Sequence, residues 1–396
     1  MEMEELHKDN KDRQLFKKVS EMTRQFQPSL KVIKDKQGKV LTENNDILER
    51  WREYCSEMYC ASLNSNASES LEFEGDLEPE PLLEEVRWAI DQISNGKSPG
   101  CDDVPIELVK EGKEQSITLY HILIKKIWET CSWPTSWKRS VYIPLPKKGD
   151  LKLCSNYRTI ALISHASKIM LKIIQKRIEK KLEEEINIVQ AGFRPKRGTR
   201  DHIFNMRNII EKCREYNKNL YACFIDYSKA FDCVEHKTLW QIMLDMGFPK
   251  HLVCLIENLY MNQEAAVRVE GETSEWFGVG KGVRQGCILS PYLFNIYAEN
   301  IMRNFSDDQG RYDDPTDPDH DTYDSLNIGG RDLPELRYAD DTVLLSSTTE
   351  GLEKMIKSVK KHSEEQNISL NAKKPVVYCG NFHVNKIVSV SICTNH

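Results

Sequence analysis

The feature that most constrains this fold is an apolar run that stops at an acid, together with two more acids placed between strand-like segments. Leu220 to Ile225 is an uninterrupted apolar run that ends at Asp226, a pattern typical of a buried strand whose carboxyl end presents a carboxylate. Leu336 to Tyr338 and Thr342 to Leu345 are strand-like and flank Ala339-Asp340-Asp341, which predicts a tight hairpin turn at the acids. The sequence therefore predicts a sheet that can bring together carboxylates lying far apart in the chain.

Asp226, Asp340 and Asp341 are candidate metal ligands. Carboxylates that converge repel one another unless hard cations neutralise them, and Mg²⁺ prefers oxygen ligands while it keeps water and phosphate in its remaining positions. A pair of such ions supports phosphoryl transfer, because one activates the attacking oxygen and the other stabilises the leaving oxygen. A purely structural interpretation stays open here, in which Asp226 caps the turn at Tyr227 and the paired acids are ordinary hairpin residues.

The order of predicted strands and helices along the rest of the sequence indicates an α+β fold, which is preceded by a linker. Ser62 to Glu80 is rich in Ser, Asn and Glu and carries no basic residue, so we expect the packed fold to start at Pro81. A helix is predicted from Asp201, with an inward face made of Ile203, Met206, Ile210 and Cys213. Strands and helices follow one another without regular βαβ alternation, which argues against a doubly wound parallel sheet.

Charge is distributed unevenly along the chain. The formal net charge is only −6, but Lys138 to Arg214 contains 19 Lys and Arg against seven Asp and Glu, whereas Ser306 to Ser325 contains eight Asp and one Arg. A basic block in an acidic chain is a candidate nucleic-acid footprint. Solvated faces of amphipathic helices are an equally simple explanation of the same charges.

Cysteine spacing and hydropathy predict a soluble intracellular protein. The 12 cysteines include no C-x-x-C pair, which indicates neither a disulfide scaffold nor a zinc ribbon. No run approaches the ~18 apolar residues of a membrane span, and Met1 to Asn10 has no apolar signal region. We therefore expect no membrane partner. The sequence indicates neither an oligomeric state nor a choice between nucleus and cytoplasm.

Several motifs together resemble non-LTR (LINE-type) retrotransposon reverse transcriptases, over roughly Pro81 to Tyr378. Three resemble the core polymerase motifs in their usual order: Phe224-Ile225-Asp226-Tyr227-Ser228-Lys229-Ala230-Phe231-Asp232, Gly282-Val283-Arg284-Gln285-Gly286-Cys287-Ile288-Leu289-Ser290-Pro291 and Tyr338-Ala339-Asp340-Asp341. Others narrow the resemblance: Asn95-Gly96-Lys97-Ser98-Pro99-Gly100, Ser155-Asn156-Tyr157-Arg158, Gln190-Ala191-Gly192-Phe193-Arg194, Arg197-Gly198-Thr199 and Ile328-Gly329-Gly330.

The resemblance implies a right-hand polymerase with fingers and an antiparallel palm sheet flanked by helices. It divides the chain into 1–80, a linker-like segment that is partly helical or disordered; 81–215, a fingers-like region; 216–380, the palm with the catalytic carboxylates; and 381–396, a short irregular tail with the thumb absent. The implied reaction adds dNTPs to the 3′-OH of a DNA primer on an RNA template. The implied cofactor is a pair of Mg²⁺ ions, with Mn²⁺ as an alternative.

The same resemblance implies roles for individual residues. Asp226, Asp340 and Asp341 correspond to the metal carboxylates, and the Tyr227 carbonyl is a further candidate ligand. The other correspondences concern the nucleotide: Phe231 as the aromatic that excludes a ribose 2′-OH, Gln285 and Gly286 as the loop that contacts the incoming nucleotide, Arg194 near the triphosphate, with Arg158 and Arg197 as weaker candidates, and Lys374 as the acid for the pyrophosphate leaving group.

Two residues depart from the family pattern, and the first of them favours an alternative function. Pro375 stands where the family usually has Thr, which removes a backbone donor and restricts Lys374, and Thr159 stands where Tyr-Arg is normally followed by Pro. The expected lack of a thumb and of an N-terminal endonuclease suggests a truncated element or a remnant in a host genome. The alternative function is therefore a catalytically weak or inactive nucleic-acid-binding remnant. An RNA-templated RNA polymerase is disfavoured, because Phe231 would reject ribonucleotides.

Overall fold

The computed structural model describes residues 32–60, 75–307 and 325–371, and the backbone of 376–381 and 384–388. Lys374 and Pro375 lie outside the described residues, as do 1–31, 61–74 and 308–324. Among the residues described, no helix is both long and apolar enough to cross a membrane, and no disulfide joins the cysteines.

The helices follow the periodicity of their apolar residues. The longest, His165–Glu185, begins at Ser164, whose side chain accepts a hydrogen bond from the Ser167 amide, and it buries a continuous stripe from Ile169 to Leu182. In chain order the helices are α1 Asn44–Tyr59, α2 Leu83–Gln92, α3 Ile106–Glu111, α4 Lys113–Thr130, α5 Thr135–Lys138, α6 His165–Glu185, α7 Thr199–Glu215, α8 Ala230–Cys233, α9 His236–Asp245, α10 Lys250–Tyr260, α11 Ser290–Asp307 and α12 Thr349–Glu365.

The strands form two larger sheets and two short hairpins. They are β1 Ile33–Lys34, β2 Val40–Leu41, β3 Arg139–Pro146, β4 Tyr157–Leu162, β5 Leu220–Ile225, β6 Gln263–Val269, β7 Glu272–Thr273, β8 Phe277–Val279, β9 Leu326–Ile328, β10 Arg331–Leu333, β11 Glu335–Tyr338, β12 Asp341–Ser346, β13 Val376–Asn381 and β14 Val384–Val388. The predicted α+β class is confirmed.

One sheet, here called the catalytic sheet, has the strand order β11-β12-β5-β13-β14, and each neighbouring pair is antiparallel. Alternate residues of β5 face opposite sides, as strand geometry requires. Cys223 and Ile225 belong to the main core with α11 and α12, whereas Leu220 and Ala222 belong to a smaller core with α7. The predicted antiparallel sheet flanked by helices is confirmed, and burial on both faces explains the apolar run of β5.

The second sheet crosses the boundary that we predict between fingers and palm. Its order is β4-β3-β6-β7, with β8 also paired to β6, and β3 pairs in parallel with β6. Strand β3 lies in 81–215, but β6 and β8 lie in 216–380. A division of the chain at residue 215 therefore does not separate the two sheets, because sheet pairing joins segments that are distant in sequence.

The structure differs from our expectations at both ends of the chain. The packed fold does not begin at Pro81: α1 lies against β6 and β8, and Ile47, Trp51 and Tyr59 are buried there. The sequence of α1 contains many charged residues, so its apolar face is not recognised from the sequence alone. The predicted irregular tail is also corrected in part, because the backbone of Val384–Val388 forms β14 beside β13.

Helix α7 packs differently from its predicted face. Ile209 and Cys213 are buried against the catalytic sheet, but Ile203 is 54% exposed. The first turns of α7 instead border a cavity of about 670 Å³ beside the catalytic sheet. Its lining includes Ile203, Met206, Phe224, Asp226, Tyr338 and Asp341. The apolar half-face of α7 thus borders a cavity that reaches two of the predicted metal ligands.

Candidate active site

Strand pairing brings the three predicted carboxylates to one end of the catalytic sheet. Asp226 directly follows β5, and Ile225 pairs with Thr342 of β12. Asp341 begins β12, and Asp340 lies in the turn before it. The antiparallel register of β5 and β12 therefore places Asp226 beside the tip of the β11–β12 hairpin.

The electrostatics of Asp340 show that the three acids influence one another. Burial raises the pKa of Asp340, and the negative charges of Asp341 and Asp226 raise it further, while Arg158 acts in the opposite direction. Such mutual repulsion is the condition that a hard cation relieves. The acids supply only oxygen donors, which suits Mg²⁺ or Mn²⁺.

The acids do not form a complete metal cage by themselves. Within the described ranges, no group of three or more His, Cys, Asp and Glu side chains is arranged so that it could hold a metal ion. This is compatible with Mg²⁺ chemistry, because Mg²⁺ is usually bound through one or two carboxylates together with substrate phosphates and water. The residues present therefore fit ions that are completed by the substrate.

Asn371 is a site residue that our sequence analysis did not identify. Its side-chain Nδ2 donates to Asp226 Oδ2 at 3.1 Å, and its backbone amide donates to the Asp226 carbonyl at 2.8 Å. The pairing of Tyr227 with Leu370 brings the two segments together. Asn371 lies three residues before Lys374, so the predicted site included a near neighbour of Asn371 in the sequence, although not the contact with Asp226.

The segment before α7 holds the catalytic hairpin in place. Gln190, 1% exposed, accepts hydrogen bonds at Oε1 from the amides of Ala339 and Gly192, both at 2.8 Å. The amide of Ala191 donates to the Arg337 carbonyl at 2.9 Å. The backbone of the Gln-Ala-Gly-Phe motif thus hydrogen-bonds to the hairpin along β11. The sequence of the motif does not reveal this role.

Arg194 does not have the position that we predict for it. Its guanidinium is buried, with Nη2 2.7 Å from Glu183 Oε2 and Nη1 2.7 Å from the Asn187 carbonyl. Further bonds from Nη1 reach the carbonyls of Ile186 and Gln190. These contacts bind Arg194 to the end of α6 rather than to a nucleotide, because a carbonyl left without a donor at a buried helix end is costly.

The other predicted arginines lie in different surroundings. Arg197 donates to the carbonyl of Gln190 at 3.3 Å and also to that of Ile188. Arg158 is exposed on β4, and its charge lowers the pKa of Asp340. Arg158 therefore lies close enough to Asp340 for its charge to act on that carboxylate.

Phe231, which we predict to exclude a ribose 2′-OH, is part of an aromatic stack. The ring of Phe231 lies parallel to that of Phe294, with centroids 4.4 Å apart and an interplanar angle of 16°. Phe193 meets the same ring edge-on at 6.2 Å. Phe231 follows Asp226 on the same connection and is half-buried, so packing restricts the position of its ring.

The Gln285-Gly286 loop lies against β4. Gly286 has a φ of +107°, and a β-carbon there would lie 3.0 Å from the Ala161 carbonyl oxygen. The Ala161 amide donates to the Gln285 carbonyl at 2.6 Å. The loop needs glycine both for its left-handed backbone and for this close approach.

Comparisons with known proteins agree with these observations. Residues 145–388 match the family model described as "Reverse transcriptase (RNA-dependent DNA polymerase)". The transposon TX1 uncharacterized 149 kDa protein of Xenopus laevis is 31% identical over 226 residues, which are 57% of this chain and 17% of that protein.

Two further relatives cover more of the chain. The retrovirus-related Pol polyprotein from the type-1 retrotransposable element R2 of Popillia japonica is 26% identical, over 74% of this chain and 38% of that protein. The RNA-directed DNA polymerase from mobile element jockey of Drosophila melanogaster is 25% identical, over 74% of this chain and 31% of that protein. The chain spans less than two fifths of the length of each of these relatives.

Proposed function

This chain belongs to the reverse transcriptase (RNA-dependent DNA polymerase) family, in its non-LTR retrotransposon branch, and from that premise we propose that it extends the 3′-OH of a DNA primer with dNTPs on an RNA template. The observation that carries the proposal is the pairing of β5 with β12, which sets Asp226 beside Asp340 and Asp341. Nucleotidyl transfer needs such a cluster of acids to hold cations against the triphosphate.

The metal ions of this proposal are two Mg²⁺, or Mn²⁺ in their place. Asp226, Asp340 and Asp341 would hold them, with the Tyr227 carbonyl as a further ligand. When bound, the ions lower the barrier for attack by the primer 3′-OH and neutralise the pyrophosphate that leaves. Asn371 holds the Asp226 carboxylate in position by a hydrogen bond to Oδ2.

The remaining residues of the proposal bind and select the nucleotide. Phe231 excludes a ribose 2′-OH, and its stacking on Phe294 keeps the ring from moving aside. Gln285 and Gly286 contact the incoming nucleotide. Arg158 replaces Arg194 as the arginine that faces the triphosphate, because it is exposed and its charge acts on Asp340. Lys374 keeps its proposed role as the acid for pyrophosphate.

The nucleic-acid partners of the proposal are an RNA template and a DNA primer. The region 81–215 acts as fingers and 216–380 as palm, with α1 added to the sheet that the two regions share. The basic block from Lys138 to Arg214 would contact backbone phosphates, so primer-template affinity should fall steeply as salt concentration rises.

Primer extension with a metal-site variant tests the proposal. The purified chain is compared with Asp340→Asn on an RNA template with a DNA primer, dNTPs and Mg²⁺. Asp91→Asn, an exposed acid on α2, is the matched control. We expect extension by the parent and by Asp91→Asn, and loss of extension in Asp340→Asn with primer-template binding retained.

Two results would contradict the proposal. One is a folded parent chain that binds primer-template but does not extend it. The other is an Asp340→Asn variant that extends at the parental rate. Thermal unfolding of all three proteins establishes that any difference in extension is not a difference in folding.

A further inference from the structure

A chain of buried hydrogen bonds connects helix α1 to the proposed nucleotide loop. Tyr59, near the C-terminal end of α1, donates from its hydroxyl to Asp232 Oδ1 at 2.9 Å. The same hydroxyl lies 2.9 Å from Thr159 Oγ1. Gln285 Nε2 donates to the same Asp232 oxygen, also at 2.9 Å. Tyr59, Thr159 and Asp232 are all buried, so water does not readily replace these bonds.

The chemistry of the groups determines the direction of each hydrogen bond. A carboxylate only accepts, so the single proton of Tyr59 is used on Asp232. Thr159 must therefore donate its own proton to the Tyr59 oxygen. Gln285 likewise turns its amide nitrogen toward Asp232, which directs its amide oxygen away from Asp232. The network thus selects one of the two orientations of the Gln285 amide.

The backbone around Gln285 is held separately from its side chain. The Val283 amide donates to the Phe231 carbonyl at 2.7 Å, and the Gly282 amide donates to the Val234 carbonyl at 2.8 Å. These bonds connect the loop to the segment that contains Asp232 without involving any side chain. Loss of the Tyr59 hydroxyl would therefore release the Gln285 side chain and leave the loop held by these backbone bonds alone, so the loop amides should open more often.

Helix α1 also contacts the same segment at a second point. Lys229 Nζ donates to the Tyr54 hydroxyl at 2.8 Å and lies 4.8 Å from the centre of the Tyr54 ring. Tyr54 and Tyr59 therefore both reach the connection between Asp226 and Asp232. Helix α1 is therefore joined to this connection at two points.

We propose that Tyr59 and Asp232 are positioning residues for nucleotide binding, which orient the Gln285 amide toward the incoming dNTP. The inference rests on the proposed function of Gln285. It adds that α1, which precedes every motif of the family resemblance, contributes to nucleotide affinity. Thr159 supplies the donor for Tyr59 and completes the network.

Steady-state extension kinetics test the proposal through Tyr59→Phe, which deletes only the hydroxyl. The matched control is Tyr157→Phe, because Tyr157 lies in the same core cluster but donates to the Leu151 carbonyl at 2.8 Å. We expect Tyr59→Phe to raise KM for dNTP by roughly tenfold, the effect of one lost hydrogen bond to a charged group, with a much smaller change in kcat. Tyr157→Phe should leave both constants near parental values.

A double-mutant cycle with Gln285→Ala separates positioning from general loosening of the fold. If Tyr59 acts through Gln285, Tyr59→Phe should change KM little once Gln285 is absent. The proposal would be overturned if the fold-change in KM of the double variant equalled the product of the fold-changes of the two single variants. It would also be overturned if Tyr59→Phe and Tyr157→Phe had equal KM values. Thr159→Val, which removes the donor to Tyr59, should shift KM in the same direction by a smaller factor and replaces Tyr59→Phe if that variant does not fold.

Hydrogen–deuterium exchange distinguishes failure of this inference from failure of the proposed function. If the parent chain does not extend primers, the proposed function fails, but the positioning network can still be measured. Exchange in the segment 282–287 should be faster in Tyr59→Phe than in the parent and in Tyr157→Phe. Equal exchange in all three proteins would reject the network whether or not the chain polymerises.

Discussion

The side-chain amide of Gln190 hydrogen-bonds to both the backbone N–H and the backbone C=O of Ala339, in the turn that contains Asp340. Its Oε1 accepts from the Ala339 amide at 2.8 Å, and its Nε2 donates to the Ala339 carbonyl at 3.3 Å. Ala339 has a φ of +57°, a conformation that is unfavourable for a residue with a β-carbon. Gln190 therefore stabilises the backbone conformation from which Asp340 reaches the other carboxylates.

Replacement of Gln190 by Ala should damage both stability and activity. The Ala339 amide would lose a buried acceptor, so we expect the free energy of unfolding to fall by about 1–3 kcal/mol. Extension should fall more than tenfold at temperatures where the variant is folded, because a small displacement of the turn moves Asp340. Chemical denaturation and primer extension measure the two effects.

Gln263→Ala is the control for this prediction. Gln263 is also buried, but its amide donates to the Leu259 carbonyl at 3.2 Å, on α10. Its replacement should lower stability without the additional loss of extension. Equal extension rates for the two variants, when both are folded, would show that Gln190 has no special role at the hairpin.

Gly192→Ala should be strongly destabilising. A β-carbon at Gly192 would lie 2.2 Å from the Ala339 amide nitrogen and 2.9 Å from its α-carbon, and these are backbone atoms that cannot rotate away. Gly278→Ala is the control, because a β-carbon there meets no atom within 4 Å. We expect thermal unfolding to detect a loss of about 2 kcal/mol or more at Gly192 and little change at Gly278. Similar melting temperatures for both variants would contradict the close approach.

Arg194→Lys should affect stability rather than nucleotide affinity. Lysine cannot reproduce the planar guanidinium, which hydrogen-bonds at once to Glu183 and to the carbonyls of Asn187 and Gln190. We expect the free energy of unfolding to fall by about 2 kcal/mol, with KM for dNTP close to the parental value below the melting temperature. A large rise in KM without a change in stability would restore the triphosphate role for Arg194.

The stability of the fold should decrease as His236 becomes protonated at acidic pH. Burial lowers the pKa of His236 to about 4 from its ordinary value of about 6.5, and the charge of Arg284 contributes, although a hydrogen bond to the Gly282 carbonyl opposes the shift. The unfolded chain then takes up the proton first as pH falls. The His236 contribution is therefore constant above pH 6.5 and is lost between pH 6.5 and pH 4, by at most about 3 kcal/mol.

Denaturation of the parent and of His236→Gln at pH 7, 6, 5 and 4 measures this dependence. The variant should be less stable at pH 7, because it loses the ring packing against Trp240 and Tyr260. Its stability should decline less between pH 6.5 and pH 4. Parallel pH profiles for the two proteins would show that His236 does not titrate as proposed.

Much of the site could be predicted because its elements are local in sequence. The apolar run of β5 ends at Asp226, and the β11–β12 turn falls at Ala339 and Asp340. The α+β class and the antiparallel catalytic sheet were also predictable from the pattern and from the family resemblance. Helix α1 was not, because its apolar residues become a core face only when β6 and β8 pack against them.

The sequence by itself determined where strands end in acids, where the hairpin turns and which family the motifs indicate, because strand alternation and turn chemistry act over a few residues. Only the tertiary structure decided that Gln190 holds the Ala339 turn, that Asn371 bonds to Asp226, that Arg194 is buried at the end of α6 and that Tyr59 reaches Asp232. Each of these contacts joins segments whose approach depends on sheet pairing and core packing, and a single polar residue carries no local pattern that names its distant partner.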